Sequence, residues 1–348
     1  MELSLTLFAL ALLLFTVLPL TRNTYWVFRI FDYPRLQKFV ASCTCLALMA
    51  AFYPRDTAYF PWLAGAVAVN ACYLLFLILP FTRAGKKQVL SCSSDTAPQE
   101  ISIMIANVYQ DNTNYAGALR EISLANPDVV LLLETNHLWD ISTSSLSETY
   151  LHHIRIPLEN TYGMLLYSKL PLQDSEIRYL VEKDIPSIHT SVVLASGQQI
   201  RLYALHPTPP VPGENTRSLE RDKELLLVAD LAKAAALPVI VIGDMNDVAW
   251  SYTTELFLKM SGLLDPRRGR GFYNSFHAHY PFMRFPLDHA FLSADFKLKR
   301  MCRLRNFDSD HFPIYISLQF ERAACNTHQE LVPDATDIAV AAEKKAAV

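Results

Sequence analysis

The sequence predicts an α/β domain preceded by about three membrane-spanning helices. Three observations carry this expectation. Short apolar runs of strand length recur between residues 98 and 320. Asn, Glu, Asp or His stands at the end of each run. The first 81 residues hold three long segments without charge.

The apolar segments come first in the chain. Residues 3–20 carry no charge and are about long enough to cross a bilayer. A signal peptide would need a basic start and a small-residue cleavage site before soluble sequence, and more apolar sequence follows instead. Residues 39–53 are uncharged over a shorter stretch, and residues 60–81 over a longer one. Residues 1–81 therefore read as a membrane anchor whose partner is the lipid bilayer. The loop after the first segment carries Arg22, Arg29, Arg35 and Lys38, and Arg83, Lys86 and Lys87 follow the third. The positive-inside rule puts both basic flanks, and the domain after them, in the cytoplasm. Parity rests on the short second segment. Residues 82–98 read as a linker and 321–348 as a surface tail, partly helical.

Within residues 99–320, the run 237–242 is apolar and rich in β-branched residues, so it reads as a buried strand. Gly243-Asp244-Met245-Asn246 follows it. Residues two apart leave an extended chain on one side, so Asp244 and Asn246 offer a carboxylate and an amide together. Such a pair suits a hard cation or a phosphoryl oxygen, and it equally suits a turn that bonds its own backbone. Five further boundaries repeat the pattern. The run 101–106 ends in Asn107, 128–133 in Glu134 and 200–205 in His206. Asp288-His289 leads into 290–292, and Ser309-Asp310-His311 precedes 312–318. Sheet folds bind ligands at strand ends, so these residues are expected to converge. A helix is expected over roughly 214–236, with Arg217 and Arg221 on one solvated face. His289 reads as structural.

The segment 266–284 holds Arg267, Arg268, Arg270 and Arg284 among five Phe or Tyr residues, just before Asp288. It is expected to rim the site and bind substrate, since arginine grips phosphate bidentately and aromatics add apolar or stacking surface. Residues 98–320 carry 20 Lys and Arg against 25 Asp and Glu. That acidic balance does not support tight binding of duplex nucleic acid. The six cysteines form no metal or redox motif, no internal repeat is present, and nothing in the chain speaks to oligomeric state.

The ordered set Asn107, Glu134, His206, Asp244 with Asn246, Asp288, and Asp310 with His311 resembles the endonuclease/exonuclease/phosphatase superfamily. The resemblance covers residues 98–320. It implies a four-layer α/β sandwich, two mixed sheets with helices outside. It implies a Mg2+ site, open to Mn2+, at Glu134 and Asp310 with Asn107 beside them. His206, Asp244, Asn246, Asp288 and His311 would be catalytic, with His311 paired to Asp288 and His206 near the scissile phosphate. The expected activity is a membrane-anchored, metal-dependent phosphoesterase acting on a lipid or small phosphate ester. The alternatives are a membrane-tethered nuclease and an inactive scaffold of the same fold.

Overall fold

The computed structural model describes residues 1–55, 57–92, 97–321 and 329–347. Helices α1 (Glu2–Val17), α3 (Arg35–Phe52) and α4 (Phe60–Ile78) form an N-terminal bundle, with the single turn α2 (Trp26–Arg29) in the first loop. The three spans, Glu2–Thr21, Arg35–Phe52 and Phe60–Phe81, are long and apolar enough to cross a membrane. Leu5, Ala9, Leu12, Cys45, Met49 and Val67 pack between them. Asn70 donates to Ser42 across the α3–α4 seam.

The domain runs β1 (Glu100–Asn107), α5 (Tyr115–Ala125), β2 (Val129–Leu133), α6 (His137–Ser142), β3 (His152–Ile156), β4 (Met164–Ser168), β5 (Leu172–Arg178), β6 (Ser187–Val193), β7 (Gln199–Leu205), α7 (Leu219–Ala234), β8 (Val239–Asp244), α8 (Tyr252–Ser261), β9 (Asp288–Leu292), β10 (Phe296–Arg303), β11 (Ile314–Phe320) and α9 (Ala335–Ala346). One sheet has the order β10-β11-β1-β2-β4-β3, the other β5-β6-β7-β8-β9. Each is mixed: β1/β2 and β7/β8 are parallel and the remaining pairs antiparallel. Alternate residues of β1 and β2, such as Ile103, Ile105, Leu131 and Leu133, meet Leu202, Ile240 and Ile242 of the other sheet in a common core. The opposite faces take the helices. Met104, Val130 and Leu132 pack with Ala118 and Ile122, and Val239 and Val241 pack with Leu225, Val228 and Phe257. These are the four expected layers.

Three expectations differ from the structure. The helix begins at Leu219, so Arg217 lies outside it and Arg221 is buried rather than solvated. The 82–98 stretch is not a free linker up to residue 92. Val89 is wholly buried in the inter-sheet core, and Ser91 bridges to Leu298 of β10. Residues 93–96 lie outside the described residues, as do 322–328 of the tail. The tail's helix α9 is docked, with Lys344 on Asp222 and Asp337 on Lys259.

The bundle and the domain are joined by polar contacts. Trp26 N donates to the Thr216 carbonyl, and Ser218 N to that of Thr24. Trp250 Nε1 donates to the Asp32 carbonyl. After the third span, Gly269 N donates to the Pro80 carbonyl and Phe81 meets Trp250 edge-on. The loop after α1 and the segment after α4 thus both lie against the domain.

Candidate active site

The site is assembled by strand register. Pairing of β8 with β9 sets Asp244 opposite Asp288, and pairing of β7 with β8 sets Leu205, one residue before His206, opposite Gly243. Gly243 is required there: its φ is +144°, and a Cβ would stand 1.9 Å from the Leu205 carbonyl oxygen. In the other sheet, β1 and β2 end together, bringing Asn107 and Glu134 to one edge.

The side chains form two linked groups. Asn107 Nδ2 donates to Glu134 Oε1 at 2.7 Å and to Asp244 Oδ2 at 3.1 Å, so one amide spans the two sheets. Its oxygen accepts from Tyr109 N. As placed, Asn107 orients Glu134 and Asp244 with its nitrogen toward them, rather than offering an oxygen to a metal. Glu134 holds a left-handed φ of 58°, a backbone strain of about 1–3 kcal/mol of the kind stored at functional sites. In the second group, His311 Nδ1 lies 2.8 Å from Asp288 Oδ2, and its Nε2 lies 3.6 Å from Asp244 Oδ2. Ser309 ties the groups together by donating to the Asn107 carbonyl and accepting from His311 N.

Electrostatics divides the labour. Burial pulls the His311 imidazole down, but the Asp288 and Asp244 carboxylates outweigh it and hold His311 up to about 10. The Asp288–His311 pair therefore keeps a proton at neutral pH. Burial lowers His206 to about 4, so it is neutral; its Nδ1 has no partner among the described residues, and its ring lies against Tyr162.

The donor set fits the divalent metal that the sequence resemblance implies. Asp310 Oδ1 is buried without a hydrogen-bond partner among the described residues, and Glu134 senses the charge of Asp310. Two hard carboxylates with an orphaned oxygen suit a hard cation. Donor atoms of Asp244, Asp288 and His311 also lie within 4.8 Å of one another. That trio already shares a proton and a hydrogen bond, so a cation there would have to displace them. Burial pushes the Glu134 carboxyl up to about 7, against the opposing Asn107 hydrogen bond. A proton on Glu134 competes with metal, so Mn2+ affinity should fall as pH drops below about 7, approaching tenfold per unit, and level off above it. Titration followed by Mn2+ electron paramagnetic resonance at several pH values checks this; a flat profile would remove Glu134 from the ligand set.

The arginine segment divides. Arg267 is wholly buried, bidentate to Asp265 and 2.6 Å from His289 Nδ1, so it braces the core instead of meeting substrate. His289 in turn contacts the Asp247 carbonyl and is structural. Arg268 lies over Phe81, and Arg270 donates to the Val89 carbonyl. Arg268 and Arg270 thus hold the segment after the third span. Arg284 differs: it donates to the Ala278 carbonyl and lies over Phe312, beside the site loop. The later half of the segment does rim the site, since Phe276 is 5.0 Å from the His311 ring and Ala278 N donates to the Asp310 carbonyl.

The residue pattern misses the supports of the turn at Asp244–Asn246. Asn246 has a left-handed φ of 48°, and its side chain donates to the Pro207 carbonyl. Its own carbonyl accepts from Arg221 Nη1 at 2.7 Å and from Tyr33 Oη at 3.0 Å. Arg221 also pairs with Asp222 and approaches Asp247, and Arg29 lies between Asp32 and Asp247. Arg221 could have been suspected from its helix position; nothing local marks Tyr33 or Arg29.

Two mixed sheets with helices outside, and carboxylates, amides and imidazoles gathered at one sheet edge, define a phosphoesterase-type domain. The chain belongs to the endonuclease/exonuclease/phosphatase family, whose profile matches residues 104–311. Members of this family are divalent-metal-dependent hydrolases of phosphate esters. The fold is similar to humanized D. rerio TDP2 (TM-score 0.54, 20% identity, covering 64% of this chain and 99% of that one). It is similar to the human Nocturnin catalytic domain with bound sulfate (0.51, 19%, 65% and 96%). It also resembles the Bacteroides thetaiotaomicron mannosyl-6-phosphatase Bt3783 (0.50, 17%, 63% and 100%). No curated protein matches the chain.

Proposed function

We propose that the chain is a membrane-anchored, Mg2+-dependent phosphoesterase that hydrolyses a lipid or small phosphate ester, with Mn2+ able to replace Mg2+. The observation that carries this reading is the junction. The loop between the first two apolar helices hydrogen-bonds the catalytic turn itself, through Tyr33 and Asn246. The site would then stand at the base of the helices, where a phosphate presented by a bilayer is within reach.

A phosphate ester resists attack because it is already anionic. Hydrolysis needs its oxygens neutralised, a water activated and the leaving oxygen stabilised. A bound cation would supply the first, held by Glu134 and Asp310. Asp244 is placed to orient and deprotonate water, and the Asp288–His311 pair to donate to a phosphoryl oxygen. Neutral His206 and the Asn246 amide remain for the phosphate and leaving group. Side-by-side assay of phospholipids, inositol phosphates and plasmid DNA, with and without Mg2+, tests the reading. Metal-dependent turnover of DNA alone would replace it with a tethered nuclease. One observation favours that second reading. A cleft of about 880 Å³ beside the site loop is lined by Arg300, Arg303 and Arg305, with Phe312 and Tyr315. D. rerio TDP2 is known with a single-strand DNA product.

Both loops that touch the domain carry positive charge, which supports a cytoplasmic site. A C-terminal alkaline phosphatase fusion should be inactive, and strong activity would place the domain outside.

A further inference from the structure

Phe276 pairs with both Phe285 and His311, which makes residues 276–285 a hairpin rooted in the active site. Its tip is Tyr280-Pro281-Phe282-Met283. Tyr280, Phe282 and Met283 are 62%, 86% and 52% exposed. A contiguous apolar tip of this kind marks a contact surface.

The neighbour of the tip identifies the partner. Gln37, in the first turn of α3, donates from Nε2 to the Phe282 carbonyl at 2.8 Å. Between them lies a groove of about 380 Å³, walled by Leu36, Val40 and Ala41 on one side and by Phe272, Pro281 and Phe282 on the other. Among the described residues no carboxylate lines it. Val40 is roughly 7 Å along the helix axis from Arg35, where the span begins. That matches the depth of about 5–10 Å at which amphipathic elements settle between headgroups and acyl chains. Arg284 also lines the groove and has no carboxylate partner among the described residues, so its charge is available to a headgroup phosphate.

We propose that the tip of this hairpin is seated in the bilayer beside α3, and that the groove takes the acyl chain of a lipid. The proposal rests on the membrane-anchored reading and deepens it. Ala278 N, in the same hairpin, bonds the Asp310 carbonyl, so lipid contact and a metal-binding loop form one mechanical unit.

The test uses the full chain in nanodiscs whose lipids carry bromine on the acyl chain near the headgroup. Trp62, 80% exposed on α4, is the internal reference for membrane insertion. Phe282→Trp adds one indole, read as the difference from wild type; Tyr280→Trp is the second reporter if the first variant misfolds. The added indole should be quenched to the same degree as Trp62, judged against Trp62→Phe. Quenching of Trp62 without quenching at position 282 or 280 would overturn the seated hairpin and leave the anchor standing. That result would assign the tip to a protein partner or a soluble substrate. Absence of quenching at Trp62 as well would end the anchor reading and this proposal with it. None of these outcomes depends on which ester is hydrolysed.

Discussion

Asp244→Asn should lower turnover by at least about 10²-fold while the fold persists, because a general base and its electrostatic role are each worth that much or more. Asp244 is the junction of the two groups in the site. Its Oδ2 accepts from Asn107 and faces His311, and its Oδ1 accepts from the backbone of Asn246. An asparagine is isosteric but must turn either an NH2 against Asn107 and His311, which both present N–H, or that NH2 against Asn246 N. Removing the charge also removes one of the two carboxylates that keep His311 protonated. The pH profile should therefore shift along with the rate. The measurement is turnover of a verified substrate beside thermal unfolding and circular dichroism. A folded variant retaining near-wild-type turnover would remove Asp244 from the chemistry.

Arg221→Ala should cost about 3–5 kcal/mol of stability, far more than a surface arginine, because it strips a buried partner from charges that stay behind. Arg221 is 1% exposed, and Asp222 and Asp247 beside it are equally buried. Burial pulls the guanidinium down, but Asp247 and Asp222 outweigh it and hold the charge firmly in place. The same side chain carries one of the two hydrogen bonds on the Asn246 carbonyl. The surviving protein should thus show lower turnover as well as a lower midpoint in urea. Lysine at this position keeps the charge without the planar fork, so Arg221→Lys should recover only part of the loss. A loss below about 1 kcal/mol for alanine would mean that Asp222 and Asp247 are satisfied without it.

The chain order alone determined a good deal. Strands β1, β2, β7, β8, β9 and β11 are legible because each is an apolar run bounded by a polar residue, and that boundary residue is where the sheet edge meets the site. Leu205 facing Gly243 is the physical reason a glycine must open the Asp244 turn. The three apolar spans are legible because length and lack of charge suffice. Strands β3, β5 and β6 are not, since His152–Ile156 and Leu172–Arg178 are largely polar and exposed, and Ser187–Val193 buries histidine and hydroxyls as well as apolar groups.

Only the tertiary structure decided what the charges do. Composition gives Arg267, Arg268, Arg270 and Arg221 as solvent-facing or phosphate-binding groups, because the cost of burying a guanidinium is invisible until its partners are known. Asp265, the Phe81 ring, the Val89 carbonyl and Asp247 are those partners, and they come from elsewhere in the chain or from the far side of a turn. The role of the first loop was hidden for the same reason. Tyr33 and Asn246 are remote in sequence, and no local pattern signals that a hydroxyl in the loop between the first two apolar helices will steady the strained turn at Asn246.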